Sequence, residues 1–354
     1  MKKIVLPLLT MLSCFFFSQC KEEALNGESI FSTEITPKTP LDHWLEKNYT
    51  DAYNVDFKYR FEDIESNMNY NLLPADYTQS VHIAKLTKYL WFEAYDELTG
   101  SQDFMRKYCP RTIFLVGSPA YNPELGTELL GTAEGGLKIT LYKVNSLDDM
   151  NMEKRNFYYF RTMHHEFGHI LHQTINYPKD FEQISLSDYT SSDWSNKTDR
   201  QMYCKGFVSA YGSSEPREDF VEFIAHYVTH TPEYWNKLLA LADSTYKYGR
   251  VVINPDKLKG SIVMNQKLEM IKRYLKDSWQ IDLEKLREIV QRRTDHLDDL
   301  DLDDLSLTPS EKSLSEKMGT LIYDKRDTII DIPASAYYGY SCYARQIDHH
   351  PHVH

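Results

Sequence analysis

The sequence predicts an α+β fold: a small twisted sheet packed on one long helix, followed by a mainly helical C-terminal half. Three observations carry this expectation. Val55, Phe57, Tyr59 and Phe61 alternate with Asp56, Lys58 and Arg60, and Leu137, Ile139 and Leu141 alternate with Lys138, Thr140 and Tyr142. That period of two is the mark of a strand. Helical spacing then takes over, first across about Lys154 to Asn176 and then in a series of segments punctuated by Pro216 and Pro232. With 354 residues, 42% of them hydrophobic, the chain can bury a real core as one large domain or two small ones.

The elements follow in order. Leu41 to Lys47 suits a short helix, and Val55 to Phe61 a half-buried strand. From Thr78 to Leu98, the residues Val81, Leu86, Tyr89, Leu90 and Phe92 recur at helical spacing. Thr112 to Val116, between Pro110 and Gly117, reads as a buried strand. Gly135-Gly136 opens the strand Leu137 to Tyr142, which is free in this reading to take up an extended substrate by strand addition. In the helix Lys154 to Asn176, Phe157, Phe160 and Phe167 make one packed side, and Pro178 follows its end. Residues 180 to 206 are rich in Ser, Thr and Asp and read as a long surface loop. Helices are expected over Pro216 to Thr229, from Pro232, over Lys257 to Leu275 and over Leu283 to Leu297. The acidic run Asp298, Asp299, Asp301, Asp303 and Asp304 lacks the glycine and glutamate of a calcium loop and reads as a solvated boundary.

The N-terminus reads as a processing segment. Lys2 and Lys3 precede the apolar run Ile4 to Phe17, which is too short to span a bilayer, and Cys20 follows. This resembles a bacterial lipoprotein signal, with Cys20 as the acylated residue; Gln19 departs from the small residue usual before that cysteine, and Cys14 is the weaker candidate. Lys21-Glu22-Glu23 resembles the acidic signal by which Bacteroidetes export lipoproteins to the cell surface. An ordinary secreted protein with an incidental cysteine is the alternative. The chain then divides into a signal peptide, 1–19, a flexible tether, 20–40, a folded domain, 41–305, and a tail of unknown role, 306–354, whose closing histidines are given no function. Cys109, Cys204 and Cys342 allow at most one disulfide. The sequons at Asn48 and Asn196 are read as chance. A net charge of −12 without a basic patch argues against nucleic acid.

The chemistry lies in His165-Glu166-Phe167-Gly168-His169. Two histidines at i and i+4 share one helical face, so both imidazoles can ligate one tetrahedral Zn²⁺ with Glu166 beside a metal-bound water. Gly168 costs about 1 kcal/mol relative to Ala inside a helix, which suggests that another element passes close by. His164 and His172 are set aside as ligands by their direction and distance along the axis. Such a site needs a third protein ligand and an open corner. Position 175 is Ile, which excludes the class whose third ligand is a histidine six residues on. The other class takes a carboxylate from a later helix. Glu218 is chosen, with Glu222 one turn on as acceptor for a ligand imidazole N–H. Glu215 and Asp219 remain rivals. Phe220 and Ile224 would bury the opposite side of that helix.

The stretch from Ser209 to Glu222 resembles the third-ligand region of the lethal factor type of gluzincin protease. There a Tyr-Gly pair precedes a helix whose ligand glutamate lies seven residues after the tyrosine, and another Glu follows four residues later. Tyr211, Glu218 and Glu222 match that register. From the lipoprotein signal to about residue 305, the chain resembles the substrate-import-associated zinc metallohydrolase lipoproteins of Bacteroidetes, which are encoded with outer-membrane nutrient-uptake systems.

The resemblance implies a zincin-like fold of gluzincin type and one Zn²⁺ held by His165, His169 and Glu218. It implies that Glu166 is the general base and that Tyr211 hydrogen-bonds the oxyanion of the tetrahedral intermediate, a contribution of roughly 3 kcal/mol in comparable sites. It also implies a surface-exposed outer-membrane lipoprotein, anchored by lipid alone, that cleaves a peptide or glycopeptide beside a nutrient-uptake complex. The competing expectation is a non-catalytic lipoprotein that captures peptide or glycan and uses zinc as a clip. Hydrolysis of a non-peptide amide is a third.

Overall fold

In the computed structural model, residues 37–62, 70–122, 127–129, 131–134, 137–247, 250–253, 260–307 and 343–345 are described, with only the backbone path given for 122–134, 245–253 and 343–345. The chain divides into two units, Met1–Thr39 and Pro40–His354, and every element below belongs to the second. Cys20, the signal segment, residues 21–36 of the tether, Gly135-Gly136, Cys342 and nearly all of the tail lie outside the described residues. No helix among the described residues is long and apolar enough to cross a membrane.

Helix α1 runs through Pro40–Leu45, a π turn at Glu46–Thr50 and Asp51–Tyr53, so it is longer than the apolar pattern indicated. Asn54 ends it in the left-handed region at φ 57°. Val55, Phe57 and Tyr59 are buried and Asp56 and Arg60 are exposed, as the alternation requires, and Asp56–Lys58 forms strand β1. Helix α2 runs through Tyr77–Thr87, a π turn at Lys88–Phe92 and Glu93–Thr99. It starts where the Gln79 N–H donates to the Asp76 carboxylate at 3.1 Å, an N-cap. Helix α3 (Asp103–Tyr108) leads into β2 (Thr112–Leu115). Strands β3 (Ala120–Asn122), β4 (Thr127–Leu129), β5 (Gly131–Glu134) and β6 (Lys138–Leu141) follow.

The main sheet has the order β1-β2-β6-β5. The first three strands are parallel, with Phe57, Ile113 and Ile139 in register, and β5 pairs antiparallel at the edge. This topology corrects one expectation: β6 is paired on both sides, so no substrate can add to it. Burial along β6 also departs from the alternation of the sequence, and Leu137 just before it is exposed. Thr140 and Tyr142 are buried like Ile139 and Leu141, because a strand inside a largely parallel sheet is covered on both faces. Strand β4 pairs with β3 and with Tyr343–Arg345 of the tail.

The motif helix α4 runs through Met152–Arg155, a π turn at Asn156–Phe160 and Arg161–Thr174. The wider turn resets the helical phase. Phe160 and Phe167 therefore enter the main core, whereas Phe157 packs with Met202, Phe207 and Tyr211 in a separate cluster. The single aromatic side expected for these three residues does not form. Phe167 meets Trp91 and Tyr95 of α2 edge-on, at 5.6 and 5.1 Å between ring centres.

Residues 180–206 are not a plain loop. They contain α5 (Asp180–Ile184), a 3₁₀ turn (Ser191–Asn196) and α6 (Asp199–Tyr203), and they bury Phe181, Met202 and Tyr203. Their polar composition hid these few anchors. Helix α7 (Pro216–Thr229) and helix α8 (Pro232–Ala242) both place proline at the first helical position. An antiparallel hairpin that the sequence reading missed, Ser244–Lys247 with Arg250–Ile253, precedes α9 (Gly260–Trp279) and α10 (Leu283–Asp295). The five aspartates of the acidic run after α10 are exposed, as a solvated run requires, while the segment is tied down through its backbone and its leucines. Lys85 donates to the carbonyls of Asp301 and Asp304, while Leu297, Leu300, Leu302 and Leu305 pack against the core.

Helices α4 and α7 are in direct contact at Gly168. A Cβ there would stand 2.9 Å from Val221 Cγ1 and 3.1 Å from Val221 Cβ. Valine is stiff at χ1, so the contact could be relieved only by parting the helices. Gly168→Ala gains about 1 kcal/mol of helix propensity but incurs an overpacking cost of about 1–3 kcal/mol. The expected result in urea denaturation is a net loss of about 1 kcal/mol. A variant stabilised by the full propensity gain would show that this approach is not tight.

Candidate metal centre

Helices α4 and α7 carry the site between them. On α4, the i, i+4 spacing sets His165 and His169 one above the other, with Glu166 beside them. On α7, Pro216 starts the helix and Glu218 sits in its first turn, where the helix dipole favours a carboxylate. Solvent scarcely reaches the group: His165 and Glu166 are 0% exposed, Glu218 1% and His169 2%.

Three side-chain atoms converge. His165 Nε2 and His169 Nε2 are 3.2 Å apart, and Glu218 Oε2 lies 3.1 Å from the first and 3.3 Å from the second. Ligands at about 2.0 Å from a tetrahedral zinc stand about 3.3 Å from one another. The triangle therefore has the size of one face of a zinc coordination shell, and its donor set, two imidazoles and one carboxylate, is one that zinc accepts. Glu218 Oε1 has no hydrogen-bond partner among the described residues, which is costly for a buried carboxylate oxygen unless a cation sits nearby. Among the described residues, these three form a group able to hold a metal ion.

The outer nitrogens of both rings are also engaged. His165 Nδ1 is 2.9 Å from Glu222 Oε1, and Ser209 Oγ donates to Glu222 Oε2 at 2.5 Å. His169 Nδ1 is 2.8 Å from His172 Nε2. Ser209 and His172 are partners that sequence reasoning did not assign. Ser209 carried no local signal, whereas His172, three residues after His169, lies one turn further along the same helix.

Burial alone would lower the basicity of His165, but its hydrogen bonds with Glu218 and Glu222 outweigh this and raise it to about 10. Burial would raise the carboxyls, yet the imidazoles beside Glu218 and Glu222 hold both well below the usual carboxylate range. His169 is lowered, chiefly by burial. His164 is pushed down to about 3 by burial and turns its Nδ1 to Tyr95 Oη at 3.2 Å, away from the site.

The rivals to Glu218 are engaged elsewhere. Glu215 pairs with Arg217 at 3.0 Å on the surface. Asp219 is 2.7 Å from Lys267 Nζ and accepts from Tyr189 Oη at 2.9 Å. That fully buried pair fastens the start of α7 to α9; burial raises the Asp219 carboxyl to about 6 and lowers the Lys267 amine. Tyr211 lies in the 3₁₀ turn Tyr211–Ser213, its ring centre 6.0 Å from that of His165. Trp194 meets it edge-on at 5.0 Å. The Ala210 N–H donating to Asp199 at 2.7 Å helps to hold the turn in place. Phe220 and Ile224 are buried as expected. Cys109 and Cys204 are free thiols.

The model of a family described as "putative zinc-binding metallo-peptidase" matches residues 34–284. A crystal structure of a protein from Bacteroides caccae ATCC 43185, described in the same words, is similar at 44% sequence identity and a TM-score of 0.64. The similarity covers 78% of this chain and 100% of that one. No protein of curated function matches at a significant level. With a matching family model over most of its length and a structural relative of this identity, the chain belongs to the family described as "putative zinc-binding metallo-peptidase".

Proposed function

We propose that the chain is a zinc-dependent peptidase of gluzincin type, with His165, His169 and Glu218 as metal ligands. The observation that carries this reading is the triangle of donor atoms with 3.1–3.3 Å edges, set beside a buried glutamate on the same helix. Zinc held there supplies Lewis acidity, lowering the pKa of a coordinated water to about 7 and polarising the scissile carbonyl. Glu166 takes the proton of the attacking water and passes it to the leaving amine. Tyr211 donates a hydrogen bond from its phenolic O–H to the oxygen that becomes negative in the transition state. Glu222, held by Ser209, accepts from His165 and keeps that ring turned inward.

The proposal extends to place and substrate. A lipid on Cys20 would hold the domain at the outer membrane, facing outward, where it would cleave peptides or glycopeptides for a nutrient-uptake complex. The N-terminal pattern of residues 1–23 supports this. Capture without turnover is the weaker reading, because a zinc clip is normally closed by four protein ligands and the metal-holding group among the described residues offers three.

A peptide-library digest tests the reaction. The zinc-loaded protein is expected to produce defined cleavages that stop on chelation and return when zinc is added back. Absence of cleavage, with peptide retained on the protein, would favour capture.

A further inference from the structure

We propose that His172 is a positioning residue for the metal centre, holding His169 in the tautomer and orientation that binds metal. The inference rests on the reading of His165, His169 and Glu218 as ligands.

His169 turns Nε2 toward His165 and Glu218, at 3.2 and 3.3 Å. A neutral imidazole has one donor nitrogen and one acceptor nitrogen. If Nε2 offers its lone pair to a metal, the proton must sit on Nδ1, and a buried N–H needs an acceptor. That acceptor is His172 Nε2, 2.8 Å away. His172 itself is buried, so water does not readily take its place. The acceptor role puts the proton of His172 on its own Nδ1 and turns its lone pair toward His169. This excludes His172 as a ligand of the same ion.

The ring of His172 is fixed from the far side. It meets Tyr177 edge-on at 5.5 Å, and Tyr177 stacks on Phe220 at 4.6 Å and 14°. Phe220 lies on α7 two residues after Glu218. The ring that orients one ligand is thus braced by the helix that supplies another, and a shift of α7 would reach both. The two ligand imidazoles are supported by unlike groups. His165 has a carboxylate, Glu222, whereas His169 has a neutral imidazole. The second ligand is therefore oriented without a further negative charge in the buried site.

The test compares His172→Phe with His172→Gln. Phenylalanine keeps a planar ring but has no acceptor; the glutamine carbonyl can reach the position of His172 Nε2. Zinc affinity is measured on apo wild type and both variants against a competing chelator, and the visible spectrum is recorded after loading with Co²⁺. His172→Phe is expected to bind zinc about 10–100-fold more weakly, the usual cost of losing an outer partner of a ligand, and to give an altered cobalt spectrum. His172→Gln is expected to stay within about threefold of wild type, since it restores an acceptor. Urea melts of the apo forms separate packing from positioning, and His172→Leu replaces the phenylalanine variant if the larger ring prevents folding. Wild-type affinity and an unchanged cobalt spectrum in a folded acceptor-free variant would overturn the proposal. Failure of the wild type itself to bind zinc would instead overturn the ligand assignment, and this inference with it.

Discussion

Glu166→Gln is expected to bind one zinc ion as tightly as the wild type and to cleave peptides about 10³-fold more slowly, within the 10²–10⁴ range typical of general acid–base catalysis. Glutamine has the size of glutamate but cannot take a proton from water. Position 166 is not among the three converging donors, so the metal should stay. Helix α4 should also keep its form, because the side chain is replaced by one of equal length. Metal content and single-turnover rates on a peptide found in the library digest decide the matter. Loss of both zinc and activity would mean that Glu166 supports the ligands rather than the proton transfer. Activity within about tenfold of wild type would remove it from the mechanism, since a general base is worth more than that.

Glu218→Ala has the second large expected effect, on binding rather than on rate. It removes one corner of the donor triangle and leaves two imidazoles, too few for a stable catalytic zinc site. The loss of affinity should exceed the roughly 10–100-fold cost of losing an outer partner such as Glu222. Calorimetric titration of the apo protein with zinc measures it, and Glu218→Gln controls for the space left by alanine. The same titration separates Glu218 from its rivals. Glu215→Ala should bind zinc as wild type does, because Glu215 pairs with Arg217 at the surface. Asp219→Ala should instead lower stability by stranding the buried Lys267, a cost of about 3–5 kcal/mol. Undiminished zinc affinity in Glu218→Ala would refute the ligand assignment.

Much of this arrangement was legible in the residues. The alternation at 55–60 gave β1, proline at 216 and 232 marked the helix starts, and Gly168 in mid-helix announced a close neighbour, which is Val221. The failures have separate physical causes. Phe157 left the aromatic side because a π turn changed the helical phase, and a period-based reading cannot see a local change of hydrogen-bonding ring. Strand β6 looked available because a sequence shows a strand without its neighbours, and pairing on both sides closed it. The segment 180–206 looked like a loop because a few buried anchors, Phe181, Met202 and Tyr203, were diluted among polar residues.

The division between sequence and structure follows the range of the forces involved. Helical geometry is local, so the i, i+4 pair His165 and His169, the glutamate between them and the apolar faces of the strands could be read without a fold. Among four nearby carboxylates the residues favoured Glu218 but left Glu215 and Asp219 open as rivals. Which acid lies beside the imidazoles depends on the rotation and approach of α7 against α4, set by contacts such as Val221 on Gly168, and on where the other acids find partners. The pair His169 and Glu218 is 49 residues apart in sequence, and His165 and Glu222 are 57 apart. Only the packing of two helices brings such groups within hydrogen-bond distance in a site nearly closed to water, where each donor must find its acceptor.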